Sequence, residues 1–150
     1  PAEARKLAFD AIGAMRWGQQ ADYFGVYGAG PQNAGVTYVH PNAKYINVNR
    51  WEYKDGQGHL LIQDIVRKAQ NGEGLVGYSV PRAAGGPEAA KLSYVGAYGA
   101  GDNLLAIQAG VSPRVVEELL KSHIPPSERD KAVPETKSDS GGGQATAAAE

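Results

Sequence analysis

The 150-residue chain has no cysteine, one methionine and only two phenylalanines. Without cysteine there is no disulfide, no thiolate metal site and no cysteine nucleophile. Excess charge is missing too. Fifteen Lys and Arg stand against sixteen Asp and Glu, a formal net charge of −1. That balance favours neither nucleic acid nor an acidic membrane surface. No stretch approaches the ~20 apolar residues that cross a bilayer. There is no signal-peptide pattern and no internal repeat. The chain opens PAEARKLAFDAIGAM without an initiator methionine. The expectation is a piece excised from a longer protein, or a free-standing or secreted one.

What is present is a 42% hydrophobic composition with twenty glycines and eight tyrosines. It suits one domain with a real core. Tyrosine joins an apolar body to a polar tip, so a tyrosine-rich interior can line a wet site.

The spacing of Leu7, Ala11, Ala14 and Met15 predicts a helix over Ala4–Trp17, with Gly18 as its stop. The aromatic and β-branched run Asp22–Tyr27 predicts a strand, and Gly35–His40 a second. The turn-rich GAGPQNAG between them makes a long-looped hairpin. A second helix is predicted over His59–Gln70, ending at Asn71-Gly72. GLVGYSV, KLSYVGAY and NLLAIQAGV then read as strands. Ser112 and Pro113 open a last helix. After Ile124 almost no large apolar residue remains, so residues 125–150 are expected to be a disordered tail or linker behind a domain of residues 1–124. The order favours an α+β fold: an antiparallel sheet of about five strands with its helices to one side.

Several motifs fail their structural context. Gly72–Gly77 (GEGLVG) matches a dinucleotide fingerprint in letters, but a helix precedes it and a strand follows, the reverse of the requirement. Ser79 in GYSVP lacks the second glycine and the following helix of a nucleophile elbow. Asp55, His59 and Asp64 are near one another in sequence, but the standard metal-ligand spacings are absent.

Three sets of residues carry more. Strict strand alternation puts Val36, Tyr38 and His40 on one face, offering a small molecule both a donor and an acceptor. Lys91 opens a strand of small and apolar residues and could serve as a cation for a carboxylate. Alternation puts it opposite Tyr94, so the two share a site only across a bulge or an irregular strand start. Arg50 and Trp51, in the irregular stretch before the second helix, are a further candidate cation and lid.

The ordered set DYFGVYG, YVHP, a DGQG turn and helix, GEGLVGYSVP, KLSYV and AIQAGVS resembles the single-Cache sensor domain of bacterial chemotaxis receptors and related sensor proteins. The resemblance runs from about Ala4 to Leu120. It implies a PAS-like sheet with a long N-terminal helix, and a loop-and-helix insertion between the second and third strands that closes over a small pocket. The implied function is extracytoplasmic, periplasmic sensing of a small organic acid such as acetate, propionate, pyruvate or lactate. The parent is a membrane-anchored receptor, which can dimerise through the N-terminal helix and passes the signal to an output module. No cofactor, metal or catalysis is implied. Carried over by position, the ligand would meet Tyr23, Tyr38, His40, Tyr45, Arg50, Trp51, Tyr78, Lys91 and Tyr94. Charge-assisted hydrogen bonds would hold its carboxylate, and aromatic faces its apolar end.

This chain departs from the family pattern in places. Asn47 stands at the usual glycine after the HP motif. Ser112 stands at a usual tyrosine, and the tryptophan of the last strand is missing. Two other readings are weighed against the sensor. One is a small hydrolase using Ser79 with His40. The other is a pocketless structural or dimerisation module.

Overall fold

The computed structural model describes residues 2–18, 22–81 and 88–111. The expected last helix, Ser112 and the 125–150 tail lie outside the described residues. The described elements are α1 (Ala2–Ala14), β1 (Phe24–Gly28), β2 (Thr37–Val39), α2 (Leu61–Gln70), β3 (Gly74–Pro81), β4 (Glu88–Tyr98) and β5 (Leu105–Val111). Two short 3-10 turns, at Ala43–Tyr45 and Gly101–Asn103, punctuate the loops. The strands form one antiparallel sheet in the order β2-β1-β5-β4-β3. This is the α+β, PAS-like arrangement, with α2 inserted between β2 and β3.

The helices lie on opposite faces of the sheet, not on one side as expected. Strand alternation makes this visible. In β1, Val26 joins the cluster with Phe9 and Ile12 of α1, while Tyr27 joins the cluster with Ile62, Ile65 and Val66 of α2. In β5, Leu105 and Ala106 divide in the same way. Each helix alone has one apolar stripe, and sequence periodicity does not say which face of a sheet will take it.

Both helices are shorter than their periodic patterns. α2 begins at Leu61 because His59 is already engaged: its N–H donates to Asp55 Oδ1 at 2.8 Å and its carbonyl accepts from Asp55 N at 2.9 Å. At the other end, Asn71 Nδ2 donates to Arg67 O, and Gly72 leaves the helix at φ 119°. α1 ends at Ala14. Arg16 donates to the carbonyls of Gly13 and Met15, satisfying helix-end groups that would otherwise be unpaired.

β2 has only three residues, and its outer edge is not open. Thr37 N donates to Val48 O and Asn47 N to Thr37 O; Arg50 N donates to Gly35 O. Residues 47–50 thus run beside β2 like a sixth, irregular strand. The chain reaches that line through Asn47 at φ 61°, the left-handed region that Asn tolerates best after Gly. Asn47 thus stands in a conformation that glycine also adopts readily.

Candidate ligand-binding site

The α2 face of the sheet turns polar toward the end where β1 begins. Its floor is set by β1 and β5. A Cβ on Gly25 would lie 2.8 Å from the Tyr27 hydroxyl, and one on Gly110 would lie 3.3 Å from the Tyr78 hydroxyl. Both strands therefore carry a glycine where a side chain would crowd a tyrosine hydroxyl.

Beneath lies a hydrogen-bond chain with one member from each of four strands. Tyr27 OH donates to Gln108 Oε1 (3.0 Å), Gln108 Nε2 to Ser93 Oγ (2.7 Å), and Ser93 Oγ to the Tyr78 hydroxyl oxygen (3.1 Å). All four side chains are buried. Every donor points the same way along the chain, so the Tyr78 O–H remains free to donate onward. Burial pushes the Tyr78 hydroxyl up to about 12 and raises Tyr27 as well. Both are neutral donors at any ordinary pH.

The segment between β2 and α2 covers this floor. Arg50 is only 9% exposed. Its guanidinium carbon lies 3.9 Å from the Tyr45 ring centroid and 4.2 Å from that of Tyr53, two cation–π contacts on one cation. Among the described residues it has no carboxylate partner and no side-chain hydrogen bond. His40 lies between Tyr23 and Tyr45, with ring centroids 5.4 and 4.9 Å away and both contacts edge-on. Its Nδ1 accepts from the Asn42 N–H at 3.0 Å, so the proton of the neutral ring sits on Nε2. Burial, then the Arg50 charge, lowers His40 to about 4, which keeps it neutral at pH 7. Burial raises the Tyr23 hydroxyl against the pull of Arg50.

Lys91 closes the other side. Its Nζ lies 5.7 Å from the Tyr23 ring centroid and 3.4 Å from Asp22 Oδ1. The side chains are 18% and 3% exposed, so this is an interior pair. β3 and β4 pair in unbroken register through Tyr78↔Lys91 and Leu75↔Tyr94, which puts Lys91 on the α2 face with Ser93.

Of the nine residues expected at the site, Tyr23, His40, Tyr45, Arg50 and Lys91 stand around it, and Tyr78 forms its inner end. Three stand elsewhere. Tyr38 stacks on Phe9 at 5.4 Å beneath the Arg5 guanidinium, on the α1 face. The alternation argument failed because β2 stops at Val39 and His40 lies past its end. Tyr94 faces outward, 44% exposed, and Glu73 beside it raises its hydroxyl; no bulge brings it round. Trp51 packs against the α2 core, and its carbonyl accepts from Gln63 Nε2. Sequence reasoning missed Asp22 and Tyr53. Tyr53 had a signal. It lies three residues after Arg50 and closes a turn with it, Tyr53 N donating to Arg50 O at 2.9 Å.

Asp55 has a structural part. Burial pushes its carboxyl up, but the N–H groups of Ser79, His59 and Gln57 outweigh this and hold it below the usual range. It fastens the covering segment to β3. Ser79 sits within β3 opposite Ala90, not at a strand–turn–helix.

One family model matches the chain over most of its length. Single Cache domain 2 matches residues 1–109. The chain belongs to the single Cache domain 2 family. Among solved structures, this Cache domain is similar to a "Periplasmic sensor domain of chemotaxis protein" at 27% identity and TM-score 0.61, covering 74% of each chain. It is similar at 25% identity and TM-score 0.62 to the domain described in "Structural basis for carboxylic acid recognition by a Cache chemosensory domain", covering 74% of this chain and 72% of that one. A methyl-accepting chemotaxis protein from Vibrio parahaemolyticus RIMD 2210633 shares the fold at 21% identity and TM-score 0.62, over 77% of this chain and 74% of that one. No curated protein matches the chain. The Cache domain is a sensor domain of the chemotaxis-receptor kind, an extracytoplasmic, periplasmic module. Among the described residues no helix is long and apolar enough to cross a membrane.

Proposed function

We propose that this Cache domain binds a small organic acid, of the size of acetate, propionate, pyruvate or lactate, and relays its occupancy to a chemotaxis or other output module. It would do so as part of a membrane-anchored, homodimeric receptor. The observation that carries the reading is Arg50, an interior guanidinium held between two tyrosine rings with no anion beside it among the described residues. A buried cation without a counter-charge is costly, and a ligand carboxylate would relieve that cost with charge-assisted hydrogen bonds. Tyr23, Tyr78 and the Nε2–H of His40 add neutral donors around it. The carboxylic-acid recognition described for a neighbour of 25% identity supports the same chemistry.

The test is thermal unfolding against small carboxylates, amino acids, amines and urea. A ligand at 100 times its Kd adds about 2.7 kcal/mol, which is a rise of roughly 5–11 °C in Tm for a chain of about 150 residues. Stabilisation by small acids alone, lost in Arg50→Met, is the expected result. Silence from every acid, or a response confined to amines, would rule the reading out.

A further inference from the structure

The charges around the site do not all remain available to a ligand. Arg50 is unpartnered among the described residues, but Lys91 is matched by Asp22 at 3.4 Å. His40 and the tyrosines are neutral at pH 7. Arg16, the other cation felt at Tyr23, is exposed and bound to helix-end carbonyls. Among the described residues the interior therefore presents one uncompensated positive charge.

Asp22 is held firmly in this position. Its N–H donates to Trp17 O at 2.8 Å and its carbonyl accepts from Trp17 N at 3.1 Å. That bridge leaves its side chain 3% exposed beside Lys91. An anionic carboxylate buried inside an anion-binding site opposes the site's purpose unless it sets a limit on what enters.

We propose that Asp22 determines specificity by neutralising Lys91, so that Arg50 alone reads the anion and the site admits an acid of one negative charge while rejecting a dicarboxylate. Lys91 is then a positioning residue. It keeps Asp22 from repelling the ligand and does not itself hold the ligand carboxylate. A second carboxylate on the ligand would be buried with no cation of its own and would face Asp22, a doubly unfavourable placement.

The inference rests on the carboxylate reading, and calorimetric titration of the 150-residue chain with propionate and malonate separates the two. Malonate carries a carboxylate where propionate has a methyl. The wild type is expected to bind propionate at least about tenfold more tightly, the scale of one lost charged interaction. Asp22→Asn frees Lys91 and should raise the malonate-to-propionate affinity ratio by about tenfold or more. Lys91→Met leaves Asp22 unpaired and should weaken propionate by a similar factor. The double variant Asp22→Asn/Lys91→Met removes both charges and should recover most of that loss, which a direct Lys91–ligand contact would not allow. Equal binding of malonate and propionate by the wild type overturns the proposal while leaving the carboxylate reading standing. So does a double variant as weak as Lys91→Met. Binding of neither acid by the wild type overturns both. Should Lys91→Met fail to fold, the ratio change in Asp22→Asn decides alone.

Discussion

Toward α2, the sheet buries Tyr27, Tyr78, Val95 and Ala106 under Ile62, Ile65 and Val66, and threads a four-residue polar chain among them. Toward α1, among the described residues, Val26, Val39 and Leu105 meet only the half-buried Phe9, Ile12, Tyr38 and Ile107, and α1 itself has no buried residue. A groove of about 440 Å3, lined by residues such as Arg5, Phe9, Ile12 and Tyr98, runs along that side. The two faces divide the work of the fold. One is packed closely enough to hold tyrosines, a guanidinium and an ion pair at fixed distances. The other holds its helix, among the described residues, by a few contacts. Trp17, just past α1, meets both sides: its backbone bridges to Asp22 and its ring lies against Phe24 at 4.6 Å.

This contrast breaks most easily at Ile62, which is fully buried. Ile62→Ala removes a side chain from the packed face and is expected to cost about 2–5 kcal/mol, read by urea denaturation. If it costs no more than a surface change, the two faces do not differ as argued. Arg50→Met comes next. Losing a charged hydrogen-bonding partner is worth about 1.5–3 kcal/mol of ligand affinity, measured by titration, while the melting curve without ligand stays cooperative. Asn47→Ala keeps the β-carbon at φ 61° but removes the short polar side chain that lets Asn tolerate this region, and is expected to cost about 1 kcal/mol. Asn47→Gly should be nearly neutral, and the difference between the two variants is the quantity to compare.

A pH series sharpens the site end of the comparison. His40 titrates near 4 folded against 6.5 unfolded. Between those values the unfolded chain binds the extra proton, so stability rises with pH through that window and levels off above it. His40→Gln should flatten this slope. Asp55, whose carboxyl is held below its ordinary range, acts in the same direction but at lower pH, where stability is lost as pH falls through its folded value. The smallest effect is expected on the outer face of α1. Leu7 is 64% exposed, and Leu7→Ala should move stability by no more than about 0.5 kcal/mol. A larger loss would mean that α1 is covered in solution.

Much of this architecture is legible in the sequence, because strands rich in tyrosine, valine and glycine alternate with clear turn residues. Five strands and two helices are expected in the observed order. The failures share a cause: local periodicity stops where tertiary contacts begin. α2 loses its first turn to Asp55, twenty-four residues from the Ser79 N–H that the same carboxylate also takes. Tyr38 and His40 read as one face, but β2 is too short to carry the alternation past Val39. Lys91 reads as a free cation because its partner, Asp22, is 69 residues away. Tyr23, His40, Tyr45, Arg50 and Lys91 are brought together by the fold. No spacing rule along the chain links them, and only the family resemblance grouped them beforehand.

The stacking of Arg50 has a kinetic consequence. A long side chain that must be immobilised on binding costs about 0.5–1.5 kcal/mol. Here Tyr45 and Tyr53 fix the guanidinium during folding, and the backbone bond to Gly35 anchors its base. On the proposed carboxylate reading, an arriving acid would meet a group already in place, and association would need no search by that side chain. Differences in affinity among acids of one size should then appear as differences in residence time. A receptor that must follow a changing concentration gains from this. If the acid reading holds, the lifetime of each bound state would decide how long the past is remembered.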